Sequence, residues 1–246
     1  MKSVIIGLCV LLFISSAQAG TFLDTFNDGE LVNWKELVMF GVDAPGSWEI
    51  IDGQLQATSN AGGVTRLLTT GEEAWQDYDV EFDVKPLEKH GPGNIAIAAR
   101  IKREWGAPWG VVCGISDLAG PAAEPIAKCF GGNLHDNAFL VYGQKPHPLL
   151  KLRKWATFKL TVHGKHLTFW INGKQVLDPI ALEPLHGFPE FPTGKIGLGL
   201  ANYTARFDNF KITGPDISNQ GGLSVTPRKK LAVTWASLKH LKSSIE

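Results

Sequence analysis

Three groups of residues in this chain combine the right types with spacing short enough to do chemistry. Asp24, Asn27 and Asp28 crowd one stretch near the start, and Asp208 stands near the end of the patterned sequence. Calcium takes hard oxygen donors of this kind, so neighbouring first and last strands would make Asp24, Asp28 and Asp208 a candidate structural Ca²⁺ site. Turn chemistry at Asn27-Asp28-Gly29 with a surface Asp208 accounts for the same residues equally well. Trp105 and Trp109, beside Pro108 and several glycines, form a candidate stacking pair for pyranose rings, with Asn94 and Arg100 as partners for hydroxyls. Acid–base groups are Glu81 and Asp83, which share one strand face, and His135 and Asp136, which follow Gly131-Gly132-Asn133. A carboxylate pair cleaves glycosides only when the two groups converge. A solvated strand face explains Glu81 and Asp83 as well, and they also join the candidate ligand-binding set. No nucleophile elbow, phosphate loop, zinc-type His/Cys cluster or dinucleotide fingerprint is present.

The elements that must position these residues are strands. Tyr78, Val80, Phe82 and Val84 alternate with Asp79, Glu81, Asp83 and Lys85, and Pro86 is expected to end that strand. Ile95, Ile97, Ala99 and Ile101 alternate with Asn94, Ala96, Ala98 and Arg100, so the second set is a candidate floor for a ligand groove. Ile196, Leu198 and Leu200 alternate with Gly197, Gly199 and Ala201. A turn at Asn202-Tyr203 is then expected before a second strand through Phe207 and Phe210. Asp52-Gly53, His163-Gly164-Lys165 and Asn172-Gly173 read as hairpin turns. Residues 103–135 read as irregular. Trp34, Trp48, Trp75 and Trp155 stand at strand starts or hairpins and are expected in the core.

The whole is expected to be an all-β, two-sheet antiparallel jelly-roll sandwich over residues 20–214, with its first and last strands adjacent. A chain of 246 residues, 44% hydrophobic, with 27 Gly and 14 Pro, has the core and the turns for one such unit. A formal net charge of zero carries no nucleic-acid footprint. Lys2, the apolar run from Val4 to Ile14 and the small residues Ala17 and Ala19 predict a secretory leader over 1–19, hence an exported protein without a transmembrane anchor after cleavage. Export leaves Cys113 and Cys129 as an even pair in a compartment where a disulfide persists, with two buried thiols as the alternative. Residues 215–227 read as a linker. Residues 228–246 read as a basic amphipathic helix with Leu231, Trp235, Leu238 and Leu241 on one stripe, packing on the sandwich or docking to a partner.

Phe26-Asn-Asp-Gly-Glu-Leu-Val-Asn-Trp34, Trp48-Glu-Ile-Ile-Asp-Gly-Gln-Leu55, Gly93-Asn-Ile-Ala-Ile-Ala-Ala-Arg100, Ile171-Asn-Gly-Lys174, Gly194-Lys-Ile-Gly-Leu198 and Phe207-Asp-Asn-Phe210 together resemble the concanavalin/laminin-G-like jelly rolls. Among these the resemblance is to the 3-keto-disaccharide hydrolase-like domains, also described as 3-keto-glycoside lyases. It implies attack on a sugar oxidised at C3. A base takes the C2 proton, and the group at C1 leaves by elimination. On that reading His135 or Asp136 is the base and Arg100 the enolate partner. The leading expectation is carbohydrate recognition on a concave face around Asn94, Arg100, Trp105 and Trp109. The lyase and a laminin-G-like adhesion domain are the alternatives.

Overall fold

The computed structural model describes residues 19–41, 45–60, 63–118, 124–136, 138–183 and 187–217. The expected leader, most of the linker and the basic helix over 228–246 lie outside the described residues. Fourteen strands run in chain order: β1 (Gly20–Asp24), β2 (Lys35–Val38), β3 (Gly46–Ile51), β4 (Gln54–Ser59), β5 (Arg66–Thr70), β6 (Tyr78–Glu104), β7 (Ala107–Ser116), β8 (Ile126–Asn133), β9 (Phe139–Pro146), β10 (Ala156–His163), β11 (His166–Ile171), β12 (Lys174–Gln175), β13 (Ile180–Ala181) and β14 (Lys195–Gly214).

Two long antiparallel strands, β6 and β14, pass from one sheet into the other and hold both together. Residues 195–201 of β14 lie between β5 and residues 94–101 of β6, and this sheet continues outward through β7, β8 and β9, with β2 beyond β5. Residues 203–213 of β14 pair with residues 79–89 of β6, and the second sheet continues through β10 and β11 to the short β12 and β13. Its other flank carries β4 with β3, and β1. Gly20 opposes Gly214, so the first and last strands are adjacent, as the sequence predicts.

The expected turn at Asn202-Tyr203 is a bend inside one strand. Asn202 takes a left-handed φ of 54°, its amide donates to the Pro92 carbonyl, and the ladder slips between Ala201 and Tyr203. Asn tolerates this φ better than other residues with a side chain, and the slip re-aims the strand. Pro86 does not end its strand. At Pro86 the pairing with β10 has stopped at Val84, and the β14 ladder slips between Thr204 and Ala205, so the missing N–H falls at an irregularity. The described residues of 103–135 are largely regular: the two-residue turn Trp105-Gly106 joins β6 to β7, and β8 pairs along β7.

Period-two burial fills the space between the sheets. Phe82 packs at 5.7 Å against both Phe158 and Phe207 and stacks on Phe210 at 6.1 Å, which brings β6, β10 and β14 into one aromatic cluster. Trp34 and Trp75 are buried in that core, whereas Trp155 is 42% exposed, outside the core position expected for it. Cys113 and Cys129 sit directly opposite one another in β7 and β8, face the core and form a disulfide. Closing the intervening loop is worth about 3 kcal/mol on the chain-entropy account. Reduction of the native protein is therefore expected to lower its unfolding free energy by about that amount. Denaturant titration with and without reductant checks this, and a Cys113→Ser/Cys129→Ser variant should show no further loss on reduction.

Candidate functional site

The inner face of the first sheet belongs to the main core through Ile95, Ile97, Val111 and Ile115. Its outer face carries a second, smaller apolar cluster of Met39, Leu67, Ala96, Ala98, Ile101, Val112 and Leu134. A strand buried on both faces needs something covering the outer one. Here the cover is the turn Met39–Gly41, which crosses the face: the Met39 N–H donates to the Thr65 carbonyl on one side, and the Phe40 N–H to the Leu134 carbonyl on the other. Phe40 stands at φ 65°, an uncommon conformation for a bulky residue and one of the kind that collects at ligand walls.

Between this turn and β8 runs a groove of about 310 Å³. Ala96 and Gly114 keep its floor low; a Cβ at Gly114 would press on the backbone of β6. Met39, Phe40, Phe130 and Phe139 supply apolar walls, and Thr65, Asn94, Ser116 and Lys128 the polar groups. Asn94 is buried, its Nδ2 donates to Thr65 Oγ1 at 2.8 Å, and its Oδ1 is buried without a partner. A buried amide oxygen left unpaired costs free energy until a donor reaches it. Lys128 holds its Nζ 5.3 Å from the Phe139 ring centroid and 5.5 Å from that of Phe130, and burial pushes its pKa below the ordinary lysine value. Among the described residues lining the groove it is the one that titrates.

Of the residues singled out from sequence, Asn94 lies in this groove and the others lie elsewhere. Arg100 is fully buried. A bulge puts it at φ 56° and slips the ladder between Ala99 and Lys102, so its side chain leaves the outer face. Its Nη1 donates to the Phe191 carbonyl at 2.8 Å and its Nη2 to the Gly164 carbonyl at 3.1 Å. Trp105 and Trp109 do meet, edge to face at 5.3 Å, at the far end of the β6–β7 hairpin, with Trp105 exposed and Trp109 buried toward the core against Phe188. His135 and Asp136 are exposed in the turn after β8, whose Asn133 Oδ1 accepts from the His135 N–H. Glu81 and Asp83 lie on the outer face of the second sheet, and Asp83 accepts from Thr157 Oγ1 at 2.6 Å and Asn209 Nδ2 at 2.8 Å.

The oxygen donors at the β1–β14 end do not fit calcium. Asp24 is buried with Oδ1 accepting from the Phe26 N–H and Oδ2 from Trp34 Nε1, both at 2.8 Å, and burial raises its carboxyl above the usual range. Asp208 accepts from Gln54 and from the Asn209 N–H, and exposed Asp28 from the Glu30 N–H. Among the described residues no three His, Cys, Asp or Glu side chains are grouped to hold a metal ion.

Nothing in the sequence pattern marks Phe40, because its role depends on a turn crossing a distant sheet. Lys128 does carry a signal: Ile126, Lys128 and Phe130 alternate with Ala127, Cys129 and Gly131, which is a strand with one cation on an otherwise apolar face.

With this geometry in hand, the class is plain: an all-β antiparallel sandwich of the jelly-roll kind. The 3-keto-alpha-glucoside-1,2-lyase-like domain matches residues 21–213, and the chain belongs to that family. Solved structures share the fold at low identity. The carbohydrate binding module CBM66 from Bacillus subtilis is 19% identical with a TM-score of 0.53, over 73% of this chain and 94% of that one. The catalytic domain of an endo-1,3-beta-glucanase (laminarinase) from Thermotoga petrophila is 11% identical with a TM-score of 0.52, over 80% of this chain and 97% of that one. The exoplasmic/lumenal domain of VIP36, in its Ca²⁺/Man3GlcNAc-bound form, is 13% identical with a TM-score of 0.52, over 77% of this chain and 86% of that one. Among curated proteins none matches the chain. No helix among the described residues is long and apolar enough to cross a membrane.

Proposed function

We propose that this chain is an exported carbohydrate-recognition sandwich that takes one sugar ring into the groove between the Met39–Gly41 turn and β8. The observation that carries the reading is Asn94 Oδ1, buried and unpartnered at the side of an aromatic-walled groove of about 310 Å³. A sugar offers the hydroxyl donor that this oxygen lacks, C–H faces for Phe130 and Phe139, and oxygen acceptors for Lys128 Nζ. The fold shared with carbohydrate-binding and glycosidase proteins supports the same reading.

Family membership favours a second reading, elimination on a 3-keto-glycoside. Lys128 is the group in the groove that can move a proton, and its depressed pKa enlarges the neutral fraction that can accept one. In that scheme neutral Lys128 takes the C2 proton and the electron pair forms the C1–C2 double bond. The C1–O bond breaks, and the proton passes from Lys128 to the departing oxygen.

Titration of the protein with glucosides and their 3-keto forms, read by calorimetry and by mass spectrometry, tests both. Recognition predicts saturable heat with no aglycone released; release from the keto forms alone establishes the lyase; no heat with any sugar contradicts both. Lys128→Met sharpens the test. At neutral pH the variant is expected to melt at or above the wild-type temperature, because the folded state no longer holds a desolvated ammonium. The sign follows from the direction of the shift: the folded pKa is lowered, so the wild type gains stability as pH rises from that value toward 10.5, and the gap between the two proteins closes over that window. Sugar affinity should fall in the same variant, and any turnover should vanish.

A further inference from the structure

The open side of the sandwich carries a second groove, of about 510 Å³, unrelated to the one that holds Asn94. It lies where β9, the edge of the first sheet, meets the β11–β13 end of the second; Gly143 of β9 packs toward Ile180 and Leu177 there. Lys145 from the end of β9, Lys151 and Lys154 from the segment that follows, and Lys174 from β12 all line it, together with His147. All four lysines are exposed; among the described residues none of them makes an ion pair and no Asp or Glu lines the groove. Arg153, exposed and within the same segment, adds a further positive charge.

This concentration stands out because the chain as a whole has 24 basic and 24 acidic residues. Elsewhere on the surface Lys89, Lys102 and Lys159 are each matched by a carboxylate at 2.8–2.9 Å. Four unmatched ammonium groups around one concavity repel one another in the free protein, and that repulsion is relieved by an anionic ligand with spaced charges. The amides of Asn172 and Gln175 line the groove beside the cations, and Trp155 presents a partly exposed ring with Lys85 Nζ 4.6 Å from its centroid. Amides for hydroxyls, ammonium groups for acids and an aromatic face for a ring plane together match a polymer of acidic sugars. A single-stranded nucleic acid asks in addition for a run of stacking aromatics, and a membrane for an apolar face rather than a cleft.

We propose that this groove binds an acidic polysaccharide through its carboxylate or sulfate groups, as a site separate from the Asn94 groove. The test measures binding of the full chain to polyuronate, dextran sulfate, neutral dextran, a thymidine oligonucleotide and anionic phospholipid vesicles, at ionic strengths of about 0.01 and 0.15 M. The comparison protein is Lys145→Gln/Lys151→Gln/Lys154→Gln/Lys174→Gln, whose changes are all at exposed positions. Polyuronate or dextran sulfate should bind, bind less as salt rises, and bind the variant about tenfold or more weakly. Melting temperature should not fall, because mutually repelling charges are removed, and neutral-sugar binding at the Asn94 groove should not change. Which acidic polymer binds tells carboxylate from sulfate. The proposal is overturned if the variant keeps wild-type affinity, if neutral dextran binds as well as the acidic polymers, or if the oligonucleotide or the vesicles bind more tightly than both.

Discussion

Arg100→Leu is expected to lower the unfolding free energy by about 2–5 kcal/mol. The guanidinium is fully buried and ties three parts of the molecule together: the β10–β11 turn through the Gly164 carbonyl, the loop before β14 through the Phe191 carbonyl, and its own strand through Tyr78, whose ring centroid lies 5.8 Å away. Tyr78 is itself buried, and desolvation lifts its pKa to about 12, so its hydroxyl stays protonated while it accepts the Arg100 N–H at 2.9 Å. Leucine fills much of the volume but leaves the buried Phe191 carbonyl and the part-buried Gly164 carbonyl without this donor. Arg100→Lys should recover little, because a single ammonium cannot span two carbonyls as the planar fork does. Denaturant unfolding reads the loss directly. The same variant separates a structural arginine from an enolate partner: the folded fraction should bind sugar as the wild type does. Wild-type stability with lost binding or turnover would contradict this account.

Asn94→Leu should do the opposite. The change removes a buried, unpartnered oxygen from the groove wall but also the Nδ2 donor to Thr65 Oγ1, so the two effects offset and the unliganded protein should stay within about 1 kcal/mol of the wild type. Affinity for a sugar should fall by about ten- to a hundredfold, since a ligand hydroxyl loses its acceptor and is buried without one. Trp105→Ala, at the far hairpin tip, should leave that affinity unchanged. Calorimetric titration of the three proteins with one sugar decides the point. Equal loss in Asn94→Leu and Trp105→Ala would mean that binding is not local to the groove.

The fold is readable from sequence wherever alternation and turn chemistry act locally. Asp52-Gly53 closes its hairpin with Ile51 opposite Gln54, and Gly164-Lys165 and Asn172-Gly173 turn where their types require. The cysteine pair is legible because a sixteen-residue separation in an even pair suits a bridge. Long-range geometry is not legible in the same way. Whether Asn202 marks a turn between strands or a bend within one depends on the Pro92 carbonyl that its amide meets, 110 residues away in sequence. Arg100 continues the spacing of Asn94, Ala96 and Ala98, and only the bulge at its own backbone takes it off that face. Phe40 reaches the groove because its turn spans from Thr65 to Leu134, a relation no local pattern encodes. Period-two reasoning thus finds the floor of the site through Asn94 and Ala96, and misses the wall that makes it a groove.

The most direct test of the account is to locate the bound sugar by amide chemical-shift mapping, with the ligand that titration shows to bind most tightly. Sugar in the groove predicts the largest shifts at Thr65, Asn94, Ala96, Val112, Lys128 and Phe130, which line it just before β5 and on β6 to β8. Shifts confined to the Trp105-Gly106 hairpin tip, or to the outer face of the second sheet around Glu81 and Asp83, would contradict it.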